Sequence, residues 1–147
     1  MNIRGRAIFT RMCVSSVIAI MLASMTMASF AQTPAKSLKD ELVGHWQLVS
    51  VSINNTQPYG GNPQGAMFLD ADGHYSVIVL TAGNARNISF FGTYTVDNAD
   101  NSMTMHVVGS SLANASGRDE KRLVSFSGDE LIQTAPKGAI KLTWKRS

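Results

Sequence analysis

Only one cysteine, Cys13, occurs in the 147 residues, and its position removes it from the folded part of the chain. It stands near the start of an apolar run, Met12–Met27, that follows Arg4, Arg6 and Arg11. A basic n-region, a short apolar stretch and small residues at Ser29 and Ala31 have the form of a secretory signal cleaved after Ala31. The run is short for a membrane span and ends in small residues, so removal is favoured over a stable membrane anchor. No small-residue motif precedes Cys13, which argues against a lipid-anchored cysteine. Residues 32–147 contain no cysteine, so no disulfide staples them even in the oxidising compartment that export implies.

An excess of charge is lacking as well. The formal charge of +3 belongs to the first 31 residues, because without Arg4, Arg6 and Arg11 the remaining Lys and Arg equal the 10 acids. Nucleic-acid binding thereby loses its compositional support. The chain has no Gly-rich phosphate loop and no nucleophile elbow around any serine. The three histidines, His45, His74 and His106, have no metal-ligand spacing. Asp70, Asp72, Asp97 and Asp100 sit in turn sequences, where such residues satisfy backbone groups, and a calcium loop would need more oxygen ligands. No cofactor, metal or catalytic group is therefore assigned. Asn54-Asn55-Thr56, Asn87-Ile88-Ser89 and Asn114-Ala115-Ser116 match the glycosylation pattern, which matters only in a host that glycosylates secreted chains.

What is present is a regular alternation. After a leader at 32–37, Ser37 caps a short helical segment in which Leu38 and Leu42 share a face and Asp40 and Glu41 fill the first turn. Gly44-His45-Trp46 then opens the first strand, with Gly44 turning the chain and the Trp46 indole placed to close one end of a barrel. Strands are expected at 45–53, 65–70, 73–81, 89–96, 102–109, 118–126, 130–135 and 139–146. The second, fourth and sixth connections are tight. The first, third and fifth are long, and only the seventh, Ala135-Pro136-Lys137-Gly138, breaks that trend. The reading is an all-β, eight-stranded antiparallel up-and-down barrel over residues 38–147. Its tight turns and Trp46 lie at a closed end capped by the short helix, and its long loops at an open end. Barrels of this strand number either fill with side chains or hold one small ligand.

Gly44-His45-Trp46-Gln47-Leu48-Val49-Ser50, Gly61-Asn62-Pro63-Gln64-Gly65, Asp72-Gly73-His74-Tyr75-Ser76-Val77 and Phe91-Gly92-Thr93-Tyr94-Thr95-Val96-Asp97 carry a family likeness. His106, Arg122, Gly128-Asp129-Glu130-Leu131 and Leu142-Thr143-Trp144 continue it. In this order they resemble the lipocalin and calycin barrels, and more narrowly the bacterial lipocalin-like domain family. The resemblance implies a fold and a cavity, and no reaction. Some relatives are associated with cyclisation steps, which keeps an isomerase or cyclase reading open.

Strand parity sorts the candidate residues. Ile140, Leu142 and Trp144 share the inner face of the last strand, and Arg146 continues it over Trp46, as a cation–π contact or as a solvated terminal charge. Arg122 has the parity of Val124 and Phe126, so its guanidinium needs a ligand anion, an internal acid or a route to water. His106 shares a face with Thr104 and Val108, which points outward unless the barrel holds a polar cavity. The expected pocket has walls of Phe68, Tyr94, Met105, Phe126 and Leu142, with Arg122 as anchor, Tyr59 in the rim loop and His106 as a conditional member. The partner is then a small hydrophobic or amphipathic molecule, and oligomeric state stays open. In a cyclase, His106 or Tyr94 would move a proton. A protease-inhibitor-like barrel would use an ordered N-terminal arm and a cysteine pair, which this chain lacks. A fully packed barrel is the remaining alternative.

Export implies that the mature chain starts at Gln32, in the periplasm or outside the cell. N-terminal sequencing of the exported protein should return Gln32, and a start at Met1 would reject the cleavage.

Overall fold

The Ser37 hydroxyl accepts the Asp40 backbone N–H at 3.2 Å while the Asp40 carboxylate takes the Ser37 N–H, also at 3.2 Å. This capping box starts helix α1, Leu38–Leu42. The Ser37 hydrogen bonds hold the Asp40 carboxyl below the usual carboxylate range. A computed structural model describes residues 36–81 and 87–147. The expected signal 1–31, the leader up to 35 and the middle of the third connection lie outside the described residues.

Eight strands follow in chain order: β1 Gly44–Ile53, β2 Gln64–Leu69, β3 His74–Leu80, β4 Asn87–Asp97, β5 Ser102–Ser110, β6 Asp119–Ser127, β7 Glu130–Thr134 and β8 Ile140–Arg146. Each pairs antiparallel with its neighbours, and β1 pairs with β8 to close the barrel. The all-β up-and-down barrel expected from the alternation is the observed fold. Among the described residues no helix is long and apolar enough to cross a membrane.

Two bulges adjust the alternation. In β1 the register slips between Leu48 and Ser50, so Trp46 and Leu48 face inward and so do Val51 and Ile53 two turns of the pleat later. In β4 the slip falls between Phe91 and Gly92. Residue 92 must be glycine, because a Cβ there would run into the His106 carbonyl oxygen.

The closed end is built from the first and last elements of the barrel, α1 with β1 and β8. The Trp46 Nε1–H donates to the Leu42 carbonyl at 2.8 Å, fixing the indole beneath α1. The Arg146 guanidinium lies over the same ring, 4.2 Å from its centroid, and its Nη1 donates to the Val43 carbonyl at 2.9 Å. Its Nη2 donates to the Glu41 carbonyl. Arginine thus satisfies carbonyls that the end of a short helix leaves without partners. Gly44 makes room for it: φ is +143°, and a Cβ would stand 2.6 Å from Arg146 Nη1.

Trp46 is 2% exposed and at the centre of this closure. Trp46→Ala should cost roughly 3–5 kcal/mol, the usual range for deleting a buried aromatic side chain. A denaturant titration checks it, and a loss under about 1 kcal/mol would mean that the indole does not hold the end shut.

Candidate functional site

Toward the long loops the barrel stops being solid. A cavity of about 150 Å³ opens there, walled by Val51, Ile53, Val77, Val79, Ile88, Phe90, Met105, Ile140 and Leu142, with Tyr59 from the first long connection at its mouth. Trp144, Gln133 and Arg122 complete the lining. An apolar space of about 150 Å³ matches the volume in which a dry, engineered protein cavity takes up one benzene ring.

Gln133 is the buried polar residue of the lining, 1% exposed. Its Oε1 accepts the Trp144 Nε1–H at 2.9 Å, and its Nε2 points at the sulfur atoms of Met103, 3.1 Å away, and Met67, 3.6 Å away. Met67, Met103 and Trp144 are fully buried with it. This layer divides the packed half of the barrel from the hollow half. The amide fixes the indole in place, while the polarisable thioethers are weak acceptors for the amide hydrogens.

Arg122 comes from the inner face of β6, and its side chain is 11% exposed. Its Nη1 donates to Glu120 Oε2 at 3.0 Å and to the Lys121 carbonyl at 2.9 Å. Glu120 lies two residues nearer the long-loop end, with 40% of its side chain exposed. The charge is therefore met by an acid at the mouth, while the Arg122 Nε is buried with no acceptor among the described residues. Tyr75 has the same deficit. It is 4% exposed, packs its ring edge-on against Phe90 at 6.1 Å, and its hydroxyl has no partner among the described residues. Burial, with the Glu120 charge added, pushes the Tyr75 hydroxyl up to about 12.

Of the residues expected to form the pocket, Arg122, Met105, Leu142 and Tyr59 line the cavity. Four do not. Phe68 is on the outer face, 41% exposed, with its ring 4.7 Å from that of His45. Alternation in β2 turns Met67 and Leu69 inward instead. His106 also faces outward, as simple parity has it, and its Nδ1 meets Asp119 Oδ1 at 2.8 Å. Tyr94 and Phe126 do face inward, but at the closed end. The Tyr94 hydroxyl donates to the Asp70 carbonyl at 2.6 Å, and the Phe126 ring lies 6.3 Å from Trp46. Parity gives the face and leaves height along the axis to the strand register. Tyr94 is four residues beyond Phe90, a distance of about 13 Å along a strand. Gln133 and Phe90 line the cavity although sequence reasoning passed over them, and Tyr75, outside the lining, packs against Phe90. Each alternates with apolar inward residues, and that was the available signal.

The histidines offer no chemistry to the interior. All three are exposed, and the Asp70 carboxyl, held low chiefly by the His74 backbone N–H, pairs with His74 outside the barrel. Among the described residues no group of His, Cys, Asp or Glu gathers to hold a metal.

The barrel matches the crystal structure of a lipocalin-like protein from Bacteroides uniformis ATCC 8492 with a TM-score of 0.53. The fold is lipocalin-like. That match has 16% identity and covers 73% of this chain and 99% of the other, so the likeness speaks for architecture alone. A DUF4847 family protein from Bacteroides vulgatus ATCC 8482 aligns with a TM-score of 0.46 at 11% identity, over 71% of this chain and 92% of that one. No family model and no curated protein sequence matches the chain.

The Gln133 layer of this lipocalin-like barrel is open to a direct check. Gln133→Leu leaves the Trp144 indole N–H buried without an acceptor, which should cost about 1–3 kcal/mol in a denaturant titration. In a Trp144→Phe background, where no N–H is left to strand, the same substitution should cost less.

Proposed function

We propose that the protein is an exported binding barrel for one small, mainly apolar molecule, held in the cavity at the long-loop end. The apolar, partly enclosed cavity beyond the Gln133 layer carries this reading. Its walls supply affinity through area removed from water, and the few polar groups set orientation. The volume favours a ligand of about one ring over a long acyl chain, since pockets for drug-sized molecules run to roughly 300 Å³ and more. The secretory pattern of the first 31 residues supports export to the periplasm or beyond. A cyclase or isomerase has less support, because the histidines face outward and the Tyr94 hydroxyl is engaged at the closed end. A general acid or base works best with a pKa near the operating pH, and the inward Tyr75, pushed up to about 12, lies far from it.

Titration with toluene, followed through the fluorescence of Trp144 in the cavity lining, tests the reading. Saturable one-to-one binding is expected, and Val79→Phe, which fills the space, should abolish it. A wild-type protein that takes up no ring-sized probe would overturn the proposal.

Arg122→Met adds an energetic check. Glu120 is 40% exposed and returns to water when its partner is removed. The change strands no buried acid and removes a buried guanidinium nitrogen that has no acceptor among the described residues, so stability should be unchanged or improved. Toluene binding should survive the change. A loss of several kcal/mol would make Arg122 a structural residue.

A further inference from the structure

Two buried donors inside the barrel have no acceptor among the described residues, and they come from different strands. Tyr75 is on the inner face of β3, one pleat below Val77 in the cavity wall, and its ring rests on Phe90, another wall residue. Arg122 is on β6. Neither the Tyr75 hydroxyl nor the Arg122 Nε has a partner among the described residues, so they do not bond one another. The ring contact with Phe90 sets Tyr75 beside the cavity that Arg122 lines, and the charges of Glu120 and Arg122 both act on its hydroxyl. Leaving a buried donor unpaired costs about 1–3 kcal/mol, more for a charged one, so two such donors next to one cavity call for an acceptor.

We infer that Tyr75 and Arg122 together receive the carboxylate of a single-ring organic acid, with Glu120 occupying the guanidinium in its absence. This rests on the binding reading above and narrows it to a chemical class. Each group suits the role. Tyr75 keeps its proton throughout the physiological range and has one to donate. The Arg122 Nε–H and the Nη donors present a planar fork that matches a carboxylate. Glu120 already supplies a carboxylate to Nη1 from the half-exposed mouth, so an incoming acid exchanges with it while Glu120 turns to water. The ring then occupies the apolar space against Phe90 and Leu142, above the Gln133 layer.

Benzoate and toluene are the probes, titrated calorimetrically against the wild type, Tyr75→Phe, Arg122→Met and Glu120→Gln. Tyr75→Phe should weaken benzoate about tenfold and leave toluene unchanged, and Arg122→Met should weaken benzoate more than tenfold. Glu120→Gln, which removes the resident competitor, should tighten benzoate several-fold. Tyr75→Phe should melt no lower than the wild type, because no bond within the protein is lost. The inference is overturned if Tyr75→Phe binds benzoate as the wild type does, or if it melts several degrees lower. Toluene bound and benzoate refused would overturn this inference while leaving the binding function standing. Neither probe bound would remove both.

Discussion

The pairing of β1 with β8 is the constraint on which the rest of this molecule depends. Without it the eight strands form an open, curled sheet with two bare edges and an unprotected interior. Backbone hydrogen bonds alone do not mark where the pairing should begin. Arg146 does, because it lays its guanidinium over the Trp46 ring and spends two of its donors on carbonyls of the segment leaving α1. A single side chain therefore ties the last strand, the first strand and the short helix. Gly44 is the complement to that tie, since any Cβ would occupy the space the guanidinium needs. A cation–π contact of this kind contributes about 0.5–2 kcal/mol, so its role is register and closure more than bulk stability, which the apolar interior supplies.

The interior above this clamp is filled unevenly. Around Trp46, Leu42, Tyr94 and Phe126 aromatic and aliphatic groups pack together, and the Trp46 Nε1–H and the Tyr94 hydroxyl both have partners. Higher up, Gln133 spends its carbonyl on Trp144 and its amide on two sulfur atoms. The Tyr75 hydroxyl and the Arg122 Nε, by contrast, are buried with no partner among the described residues.

The strands, their order and the closed end could all be read before any coordinates, because turn chemistry and two-residue alternation are local properties of a barrel of consecutive hairpins. The inward guanidinium on β6 was legible in the same way, from Val124 and Phe126. Depth was not. Tyr94 and Phe126 share the inner face with Phe90 and Arg122, but their height above the closed end depends on the stagger between strands, which no single strand encodes. Phe68 differs in the other direction: Met67 and Leu69 take the inward positions of β2, so parity turns Phe68 to solvent despite its aromatic bulk. The slip at Val49 was hidden because a bulge changes pairing and leaves composition untouched. Gln133 could have been noticed as the lone amide in an apolar register.

The order of the strands also has a consequence in time. Every pairing but one joins neighbours in sequence and can form as a local hairpin, whereas the Trp46–Arg146 pair bridges 100 residues. The entropy of closing a loop rises with its length, so that contact is the least favourable to make early. It is best made after the intervening hairpins have shortened the effective loop. Ring closure is then expected to set the folding rate, as non-local pairings do in other β proteins. Until it happens β1 and β8 are free edges able to pair with another copy of the chain. The speed with which the last strand finds the first therefore bears directly on how much of the chain escapes aggregation.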